Sequence, residues 1–275
     1  MTTLRQIRND FFKTSVDFET IDVFLRGELK INNTELLLRF SEQIPARTES
    51  KLRLDFDKVQ AGEPVQYVLG FANFYGRDFS VGPQVLIPEV ETAELIDHVK
   101  NAVLLPLEDD FSILDIGTGS GNLAITLALE LKAKNVLAVD ISQDALDLAK
   151  KNSQNLSATE VKFIRSDLLE NVNGMFDLIV SNPPYVKTGE KEIDKQVVDF
   201  EPHQALYAGA DGMDVFRKTI PETVKHLKPD GYAIFEMDYR QGDEIKSLIK
   251  KNFPKAQIEI FKDISGLDRF IAWRN

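Results

Sequence analysis

The chain has 275 residues, 43% of them hydrophobic and 28% charged, with a formal net charge of −11. That length supports one large domain or a large and a small one, and no apolar run approaches the roughly 20 residues that span a bilayer. The absence of cysteine excludes disulfides, a thiolate nucleophile and a cysteine zinc site. The acidic balance argues against DNA or RNA as a main partner, because such binding neutralises many phosphates.

Residues 1–62 read as a small helical domain. Ile21, Phe24, Leu25 and Leu29 fall at helical spacing, as do Leu36, Leu37 and Phe40. Asn33 or Thr34 is placed to cap a helix over 35–40, which Pro45 ends. A further helix is expected over 49–60, with Leu52, Leu54, Phe56 and Val59 as its apolar positions and Gly62 as its stop. Residues 1–10 are polar and lack the apolar stretch of a signal peptide, so a cytoplasmic protein is expected, and a monomer. Residues 63–90 form a connector rich in Gly, Phe and Tyr, in which 74–79 reads as a hairpin turning near Gly76.

Residues 91–275 form the second domain. A helix over 91–104 leads into apolar extended runs at 113–116, 136–139, 161–164, 176–180, 232–235, 258–260 and 270–273, with helical stretches between the earlier ones. This alternation implies an α/β fold: a seven-stranded, mostly parallel, doubly wound, Rossmann-like sheet covered on both faces. The last two strands are joined by a loop around Gly266 that is too short for a crossover helix, so they should pair antiparallel.

The run Asp115-Ile116-Gly117-Thr118-Gly119-Ser120-Gly121 ends the first of these strands and opens a helix over 123–131. Alternate glycines let the backbone turn tightly and approach a ligand outside the carboxyl end of the strand. The dinucleotide fingerprint is Gly-x-Gly-x-x-Gly. The Gly-x-Gly-x-Gly spacing behind an acid suits S-adenosylmethionine instead, which has no pyrophosphate and carries an ammonium that a carboxylate attracts. Asp115, Gly117, Thr118, Gly119 and Gly121 are therefore candidate cofactor residues. Asp140 closes the second strand, where it can hold ribose hydroxyls or, like Ser142, cap the helix at 145–151. Asp167, after the third strand, is a candidate for the adenine amino group or for a cap or turn.

Ser181-Asn182-Pro183-Pro184-Tyr185 follows the fourth strand. Two prolines fix two φ angles and restrict the residue before each, so Asn182 is held extended. Because prolines lack N–H groups, the carbonyls nearby act as acceptors. A side-chain carbonyl with backbone carbonyls makes a holder for an NH₂ group. An amide lone pair is delocalised; two acceptors on its N–H bonds orient it and favour the charge that develops as nitrogen bonds to a methyl group. Asn182, Pro183 and Tyr185 are the catalytic candidates, with Pro184 added for substrate binding and Tyr185 as an aromatic wall. Asn182 is also a candidate cofactor contact. His98, His203 and His226 are scattered without metal-ligand spacing, so no metal is expected.

The glycine run, Asp140 and Asn182-Pro183-Pro184-Tyr185 together resemble class I S-adenosylmethionine-dependent methyltransferases acting on planar or amide nitrogens. Three further features narrow this: Gly62-Glu63-Pro64-Val65-Gln66-Tyr67 with Val85-Leu86-Ile87-Pro88, Glu201-Pro202-His203-Gln204-Ala205-Leu206 with Asp211-Gly212-Met213, and Asp263-Ile264-Ser265-Gly266-Leu267-Asp268-Arg269. With them the chain resembles, over nearly its whole length, the release-factor glutamine methyltransferases of the HemK (PrmC) type. The resemblance implies a protein substrate: the methyl group goes to the side-chain amide of the glutamine in the Gly-Gly-Gln motif of peptide chain release factors. It implies that Asn182 and Pro183 hold that amide, that Tyr185 flanks it, and that Gly117 to Gly121 with Asp140 hold the cofactor. Leu168 falls near the adenine, where members often carry an aromatic residue. The helical domain is expected to dock the substrate protein.

One segment departs from the family. Its usual Ile-Pro-Arg-Pro-Glu-Thr-Glu is Ile87-Pro88-Glu89-Val90-Glu91-Thr92-Ala93 here, and Glu89 reverses a charge. Two other readings are open. A DNA or RNA adenine-N6 methyltransferase uses a similar Pro-Pro-Tyr loop on a flipped base, against which the acidic charge counts. A non-catalytic S-adenosylmethionine-binding protein of the translation machinery would keep its function after Asn182→Ala.

Overall fold

The computed structural model describes residues 2–103, 108 and 110–275. They divide into two compact units. One takes in the chain up to Ala72 together with Asp194–Phe200, and the other Asn73–Ile193 and Glu201–Asn275. Among the described residues no helix is long and apolar enough to cross a membrane.

In the first unit β1 (Thr2–Thr3) pairs antiparallel with β2 (Gln43–Ile44), beside α1 (Leu4–Phe11), α2 (Phe18–Leu29), α3 (Asn33–Leu38), α4 (Ala46–Gln60) and α5 (Val65–Leu69). Their apolar faces meet in a core that includes Ile7, Phe24, Leu25, Leu36 and Leu52, with Phe11 stacked on Phe56 at 3.8 Å. On α4 the buried positions Leu52, Phe56 and Val59 lie four and three residues apart. Leu54 falls on the opposite face and is 65% exposed, against expectation; Leu37 of α3 is likewise 55% exposed. The cap of α3 is Asn32, not Asn33 or Thr34. The Asn32 side chain accepts from the Glu35 N–H at 2.9 Å, and the Glu35 carboxylate accepts from the Asn32 N–H at 2.7 Å. This reciprocal capping box draws the next two residues into the first turn.

The stretch read as a hairpin connector holds that hairpin, formed by β3 (Phe71–Phe74) and β4 (Arg77–Ser80), and also the short helix α5. The hairpin loop is Tyr75-Gly76, with φ 50° and 76°. Two successive left-handed residues give the twist that a two-residue hairpin needs. Phe74 and Phe79 enter the core of the second unit.

That unit contains α6 (Val90–Ala102), β5 (Ser112–Ile116), α7 (Asn122–Leu131), β6 (Asn135–Asp140), α8 (Gln143–Asn155), β7 (Val161–Arg165) and β8 (Phe176–Ser181). The short helix α9 (Lys195–Phe200) belongs to the first unit, where the Gln196 side chain donates to the Gly62 carbonyl at 3.0 Å. The second unit resumes with α10 (His203–Leu206), α11 (Asp214–Thr223), β9 (Leu227–Glu236), α12 (Gly242–Asn252), β10 (Gln257–Lys262) and β11 (Asp268–Arg274). Its strands form one seven-stranded sheet in the order β10-β11-β9-β8-β5-β6-β7. β11 is antiparallel to both of its neighbours, and the remaining pairs are parallel. This is the mostly parallel, doubly wound sheet that the alternation implies, including the antiparallel closing pair.

Successive strand residues feed opposite faces. Ile113 and Leu178 pack with Leu95 of α6 and Leu127 of α7, whereas Leu114 and Ile179 pack with Phe216 of α11 and Ile249 of α12. Two expectations shift. α6 ends at Ala102, and residue 104 lies outside the described residues. No helix separates β7 from β8; the connection is made of turns, and Leu169 and Val172 turn back into the core.

Candidate active site

Strand order reverses between β5 and β8, and loops from the carboxyl ends of β5, β6, β7 and β8 meet there. Ligands of open α/β sheets bind in that crevice. A cavity of about 330 Å³ occupies it, within the roughly 300–1,000 Å³ range of small-molecule sites. Of the residues singled out in the sequence, Gly117, Thr118, Gly119, Asp140, Asp167, Leu168, Asn182 and Pro184 border it. Asp115, Gly121, Pro183 and Tyr185 do not.

The glycine loop is built from two sides. Gly117, Gly119 and Gly121 have φ of 73°, 54° and 83°, where a side chain is strained. A Cβ on Gly117 or Gly119 would project into open space, whereas on Gly121 it would come within 2.8 Å of Ile125 Cδ1 and 3.1 Å of Ala149 Cβ. The first two glycines thus leave room beside the cavity, and the third lets α7 approach α8. Asp140 accepts from the Gly119 N–H and the Ser142 N–H, each at 2.9 Å. Burial raises its carboxyl above the usual range, against the pull of those N–H groups. Ser142, and not Asp140, caps α8, accepting from the Ala145 N–H at 3.2 Å.

Asp115 stands behind the loop instead of facing the cavity. It is fully buried, and its Oδ2 accepts from the Thr118 hydroxyl at 2.6 Å and the Ala124 N–H at 3.2 Å. Its Oδ1 has no hydrogen-bond partner. Burial pushes its carboxyl up to about 7, with Asp140 adding to the rise and the two donors opposing it. Asn152, which sequence reasoning missed, ties the loop to the hairpin: its Nδ2 donates to the Ser120 carbonyl at 2.9 Å and the Ser80 carbonyl at 3.0 Å.

The loop after β8 is anchored by a chain of polar contacts. The Ser181 hydroxyl donates to the Ile116 carbonyl at 2.7 Å. Asn182 Nδ2 donates to Thr92 Oγ1 at 3.0 Å, Thr92 Oγ1 donates to Glu236 Oε2 at 2.6 Å, and the Tyr185 hydroxyl donates to Glu236 Oε1 at 3.1 Å. Tyr185 is thus anchored through its hydroxyl to Glu236 and does not border the cavity. Its carbonyl accepts from Gln241 Nε2, which also donates to the Gly212 carbonyl, both at 3.1 Å. A Cβ on Gly212, at φ 80°, would lie 2.2 Å from the Tyr185 carbonyl oxygen, so only glycine fits. This accounts for the glycine of the Asp211-Gly212-Met213 stretch.

Burial also raises the carboxyl of Glu236, with Glu89 adding to the effect and Thr92, Arg269 and Tyr185 opposing it. Burial, then Glu236, raises the Tyr185 phenol well above its ordinary value. Glu201 accepts from the Ile87 N–H at 3.0 Å, and burial, with Glu89 nearby, pushes it up to about 7. Glu89 opens onto the cavity, where crowding by the protein and Glu91 raise its carboxyl and Arg269 pulls it back. Arg269 is set in place by Asp263, whose Oδ2 accepts from its Nε at 3.1 Å. Around the cavity Glu89, Asp140, Asp167 and Asp214 face a single cation among the lining residues, Lys218. With the open space beside Gly117 and Gly119, this fits a nucleoside ligand that carries positive charge.

The methyltransferase small domain family matches residues 88–200, and the PrmC N-terminal domain family matches residues 4–70. The release factor glutamine methyltransferase of Staphylococcus aureus is 36% identical over 270 residues, covering 96% of this chain and 93% of that one. The protein of the same name from Koribacter versatilis is 44% identical over 218 residues, covering 78% and 75%. A solved methyltransferase from Pyrococcus furiosus shares the fold, with a TM-score of 0.54 at 17% identity over 84% of this chain and 98% of that one. The chain belongs to the release factor glutamine methyltransferase family.

Proposed function

We propose that this protein transfers the methyl group of S-adenosylmethionine to the side-chain amide nitrogen of the glutamine in the Gly-Gly-Gln motif of peptide chain release factors. The observation that carries the reading is Asn182. It borders the cavity from the carboxyl end of β8, its Nδ2 is committed to Thr92, and its Oδ1 is left to accept.

S-adenosylmethionine, when bound, supplies a methyl group made electrophilic by the sulfonium. Gly117 and Gly119 give it room, and Asp140 keeps lone pairs for ribose hydroxyls after taking one N–H on each oxygen. Asp167 and Leu168 flank the base. Asp115 and Gly121 act on the cofactor indirectly, through Thr118 and through the packing of α7. Asn182 Oδ1 and the Pro183 carbonyl accept the two N–H groups of the substrate amide, which aims its nitrogen and favours the positive charge that develops there. Pro184 closes the side of the site, and Tyr185 fixes the loop through Glu236. The helical N-terminal unit docks the release factor.

The test is transfer of a tritiated methyl group to purified release factor, to its Gln→Ala variant and to DNA. Label on the wild-type release factor alone is expected. Label on DNA, or equal label on both release-factor forms, overturns the reading.

A further inference from the structure

An asparagine amide is nearly symmetrical in shape but not in chemistry. Turned by 180°, Asn182 would present Nδ2 to the cavity and repel the NH₂ group it is there to hold. Its own loop does not decide the matter, because the prolines fix the backbone and not the amide. A neighbour must choose the orientation.

We infer that Thr92, held by Glu236, is a positioning residue that fixes which way round the Asn182 amide lies, so that Oδ1 faces the cavity. This rests on the reading of Asn182 as the holder of the substrate amide.

A threonine hydroxyl alone is ambiguous, since it has one hydrogen to give and lone pairs to accept with. Here the hydrogen is spoken for. Thr92 Oγ1 lies 2.6 Å from Glu236 Oε2, within the short range of a hydroxyl on a carboxylate. The other oxygen of Glu236 receives the Tyr185 hydroxyl. Once Glu236 is ionised, each of its oxygens accepts one hydroxyl, that of Thr92 on one side and that of Tyr185 on the other. Thr92 can then offer Asn182 only a lone pair, and Nδ2 must occupy the 3.0 Å contact. Donation runs in one direction, from Asn182 to Thr92 to Glu236. Thr92 is 1% exposed and Glu236 0%, so water does not supply either with a substitute partner.

The sheet brings the three together. Ser181 of β8 pairs with Phe235 of β9, which sets Asn182 beside Glu236, and Thr92 enters from the first turn of α6.

Three measurements on the full chain test this. Methyl transfer to release factor is measured at alkaline pH, where Glu236 is ionised despite its raised pKa. Thr92→Val keeps the shape and removes the hydroxyl; kcat should fall about 10- to 100-fold, the worth of one well-placed hydrogen bond. Thr92→Ser restores the hydroxyl and should return kcat to within about threefold of wild type. The Kd for S-adenosylmethionine should stay within about threefold in both variants, because neither touches the glycine loop. In the wild type, NMR should show the Asn182 side-chain NH₂ protons close to Thr92, a measurement that needs no variant to fold. The inference is overturned if Thr92→Val keeps wild-type kcat, if Thr92→Ser falls as far as Thr92→Val, or if those NH₂ protons lie away from Thr92. If wild type leaves the release factor unlabelled, or Asn182→Ala transfers as well as wild type, the function itself is wrong and this inference falls with it.

Discussion

Asp140→Ala separates holding the cofactor from holding the loop. On the protein side the substitution removes two acceptors, for the Gly119 and Ser142 N–H groups at 2.9 Å each. Hydrogen bonds to a charged group are worth about 1.5–3 kcal/mol each. Against that loss stands a gain: burial raises the carboxyl of Asp140, so the folded state spends stability on keeping the charge there. The net cost to folding should be about 1–2 kcal/mol, or a few degrees in Tm for a domain of this size. On the ligand side nothing offsets the loss. Removing two ribose hydroxyl contacts to a carboxylate should weaken S-adenosylmethionine binding by about 2–4 kcal/mol, roughly 30- to 1,000-fold in Kd. Isothermal titration calorimetry gives Kd, and a thermal melt of the same sample gives Tm. A Kd within threefold of wild type beside a large drop in Tm would show that Asp140 is only a strut of the glycine loop, and the ribose assignment would be wrong.

Asn182→Ala should lower methyl transfer by about 100-fold or more while the Kd for S-adenosylmethionine stays within about threefold; weaker cofactor binding with transfer preserved at saturation would reverse the role assignments. Burial pushes the Glu201 carboxyl up to about 7 against 4.5 for an ordinary glutamate, so the stability it confers is fully present below about pH 4.5 and is lost as pH rises through 7. The loss is up to about 3 kcal/mol, and in Glu201→Gln, whose Oε1 can still accept from Ile87, Tm should fall less between pH 5 and pH 8; parallel Tm–pH curves would contradict this. Gly121→Ala should lower Tm more than Gly119→Ala, because its Cβ meets Ile125 at 2.8 Å and the Gly119 Cβ meets nothing, whereas Gly119→Ala should weaken cofactor binding more. Equal effects of the two on Kd would argue against the cavity-side placement of Gly119.

Much of the fold was legible because its signal is local. The inner strands of the sheet carry short apolar runs, and strands buried on both faces need no more than that. The glycine loop was legible for the same reason, since only glycine tolerates three left-handed positions in five residues. Other features depend on where a side chain points. Asp115 adjoins the loop in sequence but lies beneath it, and Tyr185 commits its hydroxyl to Glu236. The anchors were out of reach altogether. Thr92 and Glu236 lie 144 positions apart, and Glu236 reads in the sequence as the polar end of an apolar run. Only the sheet order, which puts β9 beside β8, brings them to Asn182.

The same geometry gives the departing segment 87–93 a setting. Glu89 adds a negative charge near both Glu201 and Glu236, and it raises the carboxyls of both. The counter-charge comes from a distant part of the chain, the β10–β11 turn, where Asp263 holds Arg269 in place. Asp115, Glu201 and Glu236 are each raised by burial, so each costs stability at neutral pH that the apolar cores on the two faces of the sheet must offset. Such a concentration of unfavourably placed acids in a fold this regular is not explained by packing. It falls on the side chains that hold Asn182, the Ile87 backbone and the glycine loop, where a fixed acceptor is worth more than the stability it forfeits.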